Sequence, residues 1–163
     1  MKTALAILFG MLATRAASAG QQSPAGPPAM PYGAPVSIEA AKRVMAAAEA
    51  EAMKNNWTMA IVVLDSSGHI VLLERLDNTQ YGSIAVAEDK ARSALDFKRP
   101  TKVFEDLVAQ GGVGLRTLAL RGATPLEGGI PLVRDGKIVG AIGVSGGSSV
   151  RDGQVAKAGA EVK

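Results

Sequence analysis

The chain has 163 residues, no cysteine, and 18 Lys+Arg against 15 Asp+Glu, a formal charge of +3. Without cysteine there is no disulfide framework, no thiolate metal centre and no thiol nucleophile, so burial alone must hold the fold. The charges are interspersed and nearly balanced, which leaves no footprint for nucleic acid or anionic lipid.

Lys2 precedes an apolar run from Ala4 to Ala13, followed by the small-residue pattern Ala17-Ser18-Ala19. The run is shorter than the roughly 20 residues a bilayer core requires. It fits the central region of a cleavable secretory signal, so residues 1–19 are expected to be a signal peptide and the product periplasmic or secreted. Loss of Lys2 and Arg15 would leave 16 basic against 15 acidic residues, a charge of +1. No later segment is apolar and long enough to suggest a membrane span. Residues 20–35 are rich in Pro and Gly and are expected to form a tether, with one compact domain over 36–163.

Ser37 is placed to N-cap a first helix running to about Asn55, with Ile38, Ala41, Val44, Met45, Ala48 and Ala52 as its apolar stripe. Trp57 to Leu64 is apolar on both faces and predicts a central strand. After the turn Asp65-Ser66-Ser67-Gly68, residues His69 to Arg75 return as its hairpin partner. Ser83 to about Phe97 reads as a second helix, ended by Pro100. Thr101 to Gln110 reads as a short third one. The glycine-punctuated stretch 111–129 suggests a loop around a short strand near Leu115–Leu120. Ile130–Val133 and Lys137–Val144 flank Asp135-Gly136, the dipeptide of a type I′ hairpin turn. A glycine-rich loop, Ser145–Ser149, then leads into a last helix. Consecutive hairpins without βαβ alternation argue for an α+β domain with helices packed on an antiparallel sheet.

Motifs in this order resemble the GlcG/HbpS family, to which the C-terminal domain of PduO proteins is related. They include Val63-Leu64-Asp65-x-x-Gly68-His69, Glu74-Arg75-Leu76-Asp77, Ser83-x-x-x-Ala87-x-x-Lys90-Ala91-x-x-Ala94 and Arg99-Pro100-Thr101. Gly128-Gly129-Ile130-Pro131-Leu132, Gly136-x-x-x-Gly140-Ala141-Ile142-Gly143-Val144-Ser145-Gly146 and Asp152 complete the set. The resemblance spans nearly everything from Val36 onward. It implies a profilin-like fold with a five-stranded antiparallel sheet, and a homo-oligomer, often an octamer. It further implies a pocket near subunit contacts that in some members takes haem or a corrinoid.

Candidate site residues follow from side-chain chemistry set against that resemblance. His69 is the sole histidine, which excludes a multi-histidine metal centre; it is a candidate iron ligand or general base, or else an exposed residue at a hairpin end. Thr101 offers a hydroxyl to a ligand's iron or carboxylate, or simply an N-cap to the helix it precedes. Arg75 and Lys90 are the cations within the motifs and candidates to meet propionates, although a lysine beside an apolar stripe normally extends its amine to water. Ser145 opens a glycine-rich loop that could cradle a carboxylate. The Gly140–Gly147 run has neither the spacing nor the βαβ setting of a dinucleotide fingerprint, and it lacks the Gly-Lys-Ser/Thr end of a phosphate loop. Tyr32, in the tether, and Tyr81, in a loop, are alternative phenolate ligands for haem iron or else exposed side chains, and Glu88 with Asp89 sits on a solvated helix face.

These features favour an exported small-molecule-binding protein with haem or a related tetrapyrrole as ligand. Arg75 or Lys90 would meet the propionates, and His69 or Thr101 the iron. An enzyme at the same pocket, degrading haem or acting as a lyase or isomerase, is the second reading. It would need His69 or Lys90 as a base, and no nucleophile–base–orienter set is visible. An oligomeric accessory protein without a ligand is the third.

Overall fold

The computed structural model describes residues 30–162. The expected signal segment and residues 20–29 of the expected tether lie outside the described residues. The elements are α1 (Ile38–Lys54), β1 (Ala60–Asp65), β2 (Ile70–Arg75), α2 (Gly82–Asp96), α3 (Lys102–Ala109), a 3-10 helix (Gly112–Ala119), β3 (Gly129–Arg134), β4 (Lys137–Ser145) and α4 (Ser149–Ala160). The strands form one antiparallel sheet in the order β2-β1-β4-β3.

The sheet has four strands among the described residues, not the five expected. The segment read as a strand near Leu115–Leu120 belongs instead to the 3-10 helix. Its entry bends through Gly111 and Gly112, both with positive φ, and Gly114 presses its Cα against the Leu107 carbonyl so closely that no side chain fits. Leu115 and Leu118, three residues apart, then project together as a 3-10 repeat dictates.

Helices cover both faces of the sheet. Ile61 and Val63 of β1, with Ile142 and Val144 of β4, bury against α1 and α4. Ala60, Val62, Leu64 and Ala141 bury against Ala87, Ala91 and Ala94 of α2. This is what an apolar run on both faces of β1 predicts, and each fully buried Leu, Ile or Val there contributes about 1.5–3 kcal/mol. The small residues of α2 let its backbone sit directly on β4. A side chain at Gly143 would fall onto the Ala87 carbonyl and within 2.6 Å of the Ala91 nitrogen.

Local signals position the elements. The Ser37 hydroxyl accepts the Ala40 N–H at 3.2 Å, capping α1. Asp135 and Gly136 have φ of 50° and 71°, the two left-handed residues a type I′ turn requires. The last residues of the expected tether are packed: the Ile138 N–H donates to the Pro31 carbonyl, the Gly33 N–H to Ile138, and the Val36 N–H to Val139. The Tyr32 hydroxyl donates to the Leu95 carbonyl at 3.0 Å, so this segment ties β4 to α2. No helix among the described residues is long and apolar enough to cross a membrane.

Candidate functional site

Register places Arg75 and Ser145 at one end of the sheet, on either side of Ala60. At a strand spacing of nearly 5 Å their backbones are about 10 Å apart. His69 precedes the opposite end of β2, where Ile70 pairs with Leu64. Six residues of extended chain separate it from Arg75, or about 20 Å. Its ring is largely exposed, with Nδ1 3.8 Å from Asp65 Oδ1.

Lys90 does not extend to water. It is 1% exposed, and its Nζ donates to Asp152 Oδ2 at 2.7 Å and to the Val144 carbonyl at 3.1 Å. Asp152 is also buried, and its other oxygen accepts the Gly147 N–H at 2.9 Å. One buried ion pair thus joins α2, the end of β4, the glycine-rich loop and α4. An ammonium committed in this way is not offered to a ligand.

Thr101 is fully buried and does not cap α3 with its side chain. Its Oγ accepts the Gly129 N–H at 2.9 Å, while its own N–H donates to the Gly129 carbonyl at 2.9 Å. The backbone there is already helical, so the hydroxyl turns inward and latches α3 to the start of β3. Ser145 is buried at the end of β4. Of the five candidates, the structure brings Arg75 and Ser145 to one end of the sheet, packs Lys90 and Thr101 inside, and leaves His69 at the far end.

The open surface at the Arg75 end is a trough. Its main part, about 510 Å³, is lined by Glu49, Met53, Asn56, Trp57, Thr58, Arg75, Leu76 and Asp77. A smaller recess of about 110 Å³ shares Asn56, Trp57 and Thr58 and adds Met59, Gly146, Gly147 and Arg151. On the other side Glu49 also lines a groove of about 240 Å³ with Lys42, Met45, Leu72 and Glu74. Burial, then the neighbouring Glu49 charge, raises the Glu74 carboxyl above the ordinary range.

Two guanidinium groups stand over aromatic rings here. Arg75 lies 5.2 Å from the centre of the Tyr81 ring and donates to the Thr79 carbonyl at 3.1 Å. Arg151 lies 5.3 Å from the centre of the Trp57 ring. Neither is within 4 Å of a carboxylate among the described residues. No group of three or more His, Cys, Asp or Glu among the described residues is arranged to hold a metal ion. Met53, Trp57 and Arg151 escaped the reading of the sequence. The available signal was Trp57, the only tryptophan, placed directly after the helix-ending Asn55-Asn56.

Residues 36–161 match the family model described as haem degrading protein HbpS-like. Protein GlcG of Escherichia coli K12 is 42% identical over 110 residues, covering 68% of this chain and 81% of that protein. The crystal structure of a double mutant of Streptomyces reticuli HbpS superposes with a TM-score of 0.69 at 28% identity, covering 93% of this chain and 97% of the other. A crystal structure of a PduOC–haem complex gives a TM-score of 0.69 at 25% identity, covering 77% and 93%.

Proposed function

The chain belongs to the HbpS-like family, and on that premise we propose that it is an exported small-molecule-binding protein whose ligand is haem or a related tetrapyrrole. The observation that carries the reading is the trough at the Arg75 end of the sheet, which Trp57, Met53 and Arg75 line together. A tetrapyrrole of this class presents a flat apolar body and carboxylates, and apolar side chains with a fixed cation are the matching donors. The PduOC–haem complex, on the same fold, supports the choice of ligand. Arg75 remains the cation open to a propionate; Lys90 is held by Asp152. Bound haem would supply a redox-active iron, and the chain's own part is to bind and orient it. Of His69 and Thr101, only the His69 side chain is open to solvent, and within one chain it stands about 20 Å from Arg75, too far to meet the iron of a macrocycle whose propionates Arg75 holds.

Export rests on the pattern at residues 1–19. Self-association is supported by an exposed apolar face at α3 and the 3-10 helix, formed by Val103, Leu107, Val113, Leu115, Leu118 and Leu120. A face of this kind on a small domain marks a contact surface.

Spectral titration with haemin tests the reading. A saturating Soret shift is expected with the wild-type chain, and an unchanged shift in His69→Ala would remove that imidazole from the iron. No shift with the wild type would overturn tetrapyrrole binding.

A further inference from the structure

We infer that the opening between Met53, Trp57 and Arg75 is the seat of the ligand, built for a flat molecule with carboxylates at its rim. This assignment rests on the tetrapyrrole reading and adds to it the residues that seat and select the ligand, Met53 and Arg151 among them. Three observations converge on it. The volume, about 510 Å³, lies in the usual range for small-ligand sites. Met53 is 62% exposed at the trough although it is a large apolar side chain, and Trp57 and Leu76 are only partly buried beside it. Such surface gains free energy when an apolar plane covers it.

The third observation concerns the cations. Arg75 and Arg151 flank the trough and its recess with no carboxylate of the described chain within 4 Å. Each is oriented in advance, Arg75 by the Thr79 carbonyl and the Tyr81 ring, Arg151 by the Trp57 ring. A guanidinium fixed in this way binds a carboxylate with less loss of side-chain freedom. The carboxylates of Glu49 and Asp77 also line the trough, so a simple anion is poorly matched. An amphipathic plane, with its carboxylates beside the guanidinium groups and its apolar body over Met53 and Trp57, satisfies the mixture. Where that plane carries iron, the Met53 thioether is a donor of a type haem iron accepts.

The seat differs from the one the motif residues suggest. Lys90 and Thr101 do not line it: Thr101 latches α3 to the start of β3, and the ion pair of Lys90 with Asp152 holds the Gly147 end of the loop that walls the recess.

Haemin titration of the full chain and three variants tests the seat. Thr58→Trp fills the trough from an exposed position, Arg75→Gln removes a cation, and Met53→Leu removes sulfur at nearly constant volume. Circular dichroism checks that each is folded. Thr58→Trp and Arg75→Gln are each expected to weaken haemin binding by roughly tenfold or more. Met53→Leu is expected to shift the Soret maximum while haemin still binds. Wild-type affinity in folded Thr58→Trp and Arg75→Gln would overturn the seat and leave tetrapyrrole binding standing. An unmoved Soret maximum in Met53→Leu would overturn the thioether contact. Failure of the wild type to bind haemin is a separate result that removes the tetrapyrrole reading itself.

Discussion

Gly143→Ala is expected to destabilise the domain by about 3–5 kcal/mol, a large share of the roughly 5–15 kcal/mol that holds a domain folded. The cause is steric and local. A methyl at this position would fall onto the Ala87 carbonyl, 2.6 Å from the Ala91 nitrogen and 2.8 Å from the Ala91 Cβ. Two of those obstacles are helix backbone, which cannot rotate aside as a side chain would. Relief requires α2 to move off β4 and open the cluster that holds Val62, Leu64 and Ala141. Urea unfolding followed by circular dichroism measures the loss. The neighbouring strand residue Val139, only partly buried, is the control, and Val139→Ala should cost far less. Equal losses at both positions would contradict the close helix–strand contact.

The second large effect concerns Lys90 and Asp152. Asp152→Ala leaves a buried ammonium whose remaining partner is the Val144 carbonyl, and it takes the acceptor from the Gly147 N–H. Removing one partner of a buried pair typically costs about 3–5 kcal/mol. Replacing both with apolar residues of similar size, as in Lys90→Met with Asp152→Leu, is expected to recover most of that loss, because the desolvation of both charges is relieved together. Chemical denaturation of the three proteins gives the comparison. If the double variant is no more stable than Asp152→Ala, the cost lies in the lost packing and loop contact instead of the stranded charge.

Much of the architecture follows from local pattern. The Ser37 cap, the two-sided apolar run of β1 and the Asp135-Gly136 turn each have a short-range cause, and all three are present. The stretch around Leu115–Leu120 defeats the same reasoning. Its leucines can be read with strand or helix spacing, and the choice falls to Gly114, which must pass the Leu107 carbonyl. Tertiary contact settles it.

The site was less legible, and the reason is distance along the chain. Lys90 lies on the flank of an amphipathic helix, where sequence predicts a solvated amine; its partner is 62 residues away on a helix across the sheet. Thr101 precedes a helix, the ordinary place for a cap, yet its hydroxyl bonds Gly129, 28 residues on. His69 and Arg75 bound the strand that the sequence predicts, so their separation is legible in it; that Ser145, 70 residues further on, joins Arg75 at one end of the sheet is not. Trp57 and Arg151 carried no motif. They meet only because β4 and its loop bring α4 back beside the end of α1.

The proposed ligand, flat and bearing carboxylates, would sit at the Arg75 end of the sheet. Native mass spectrometry of the full chain isolated from the cells that produce it tests that proposal most directly. A folded species carrying the added mass of a tetrapyrrole is expected, with that adduct lost from Thr58→Trp. A clean bare chain, or an adduct of another chemical class retained in Thr58→Trp, would contradict it.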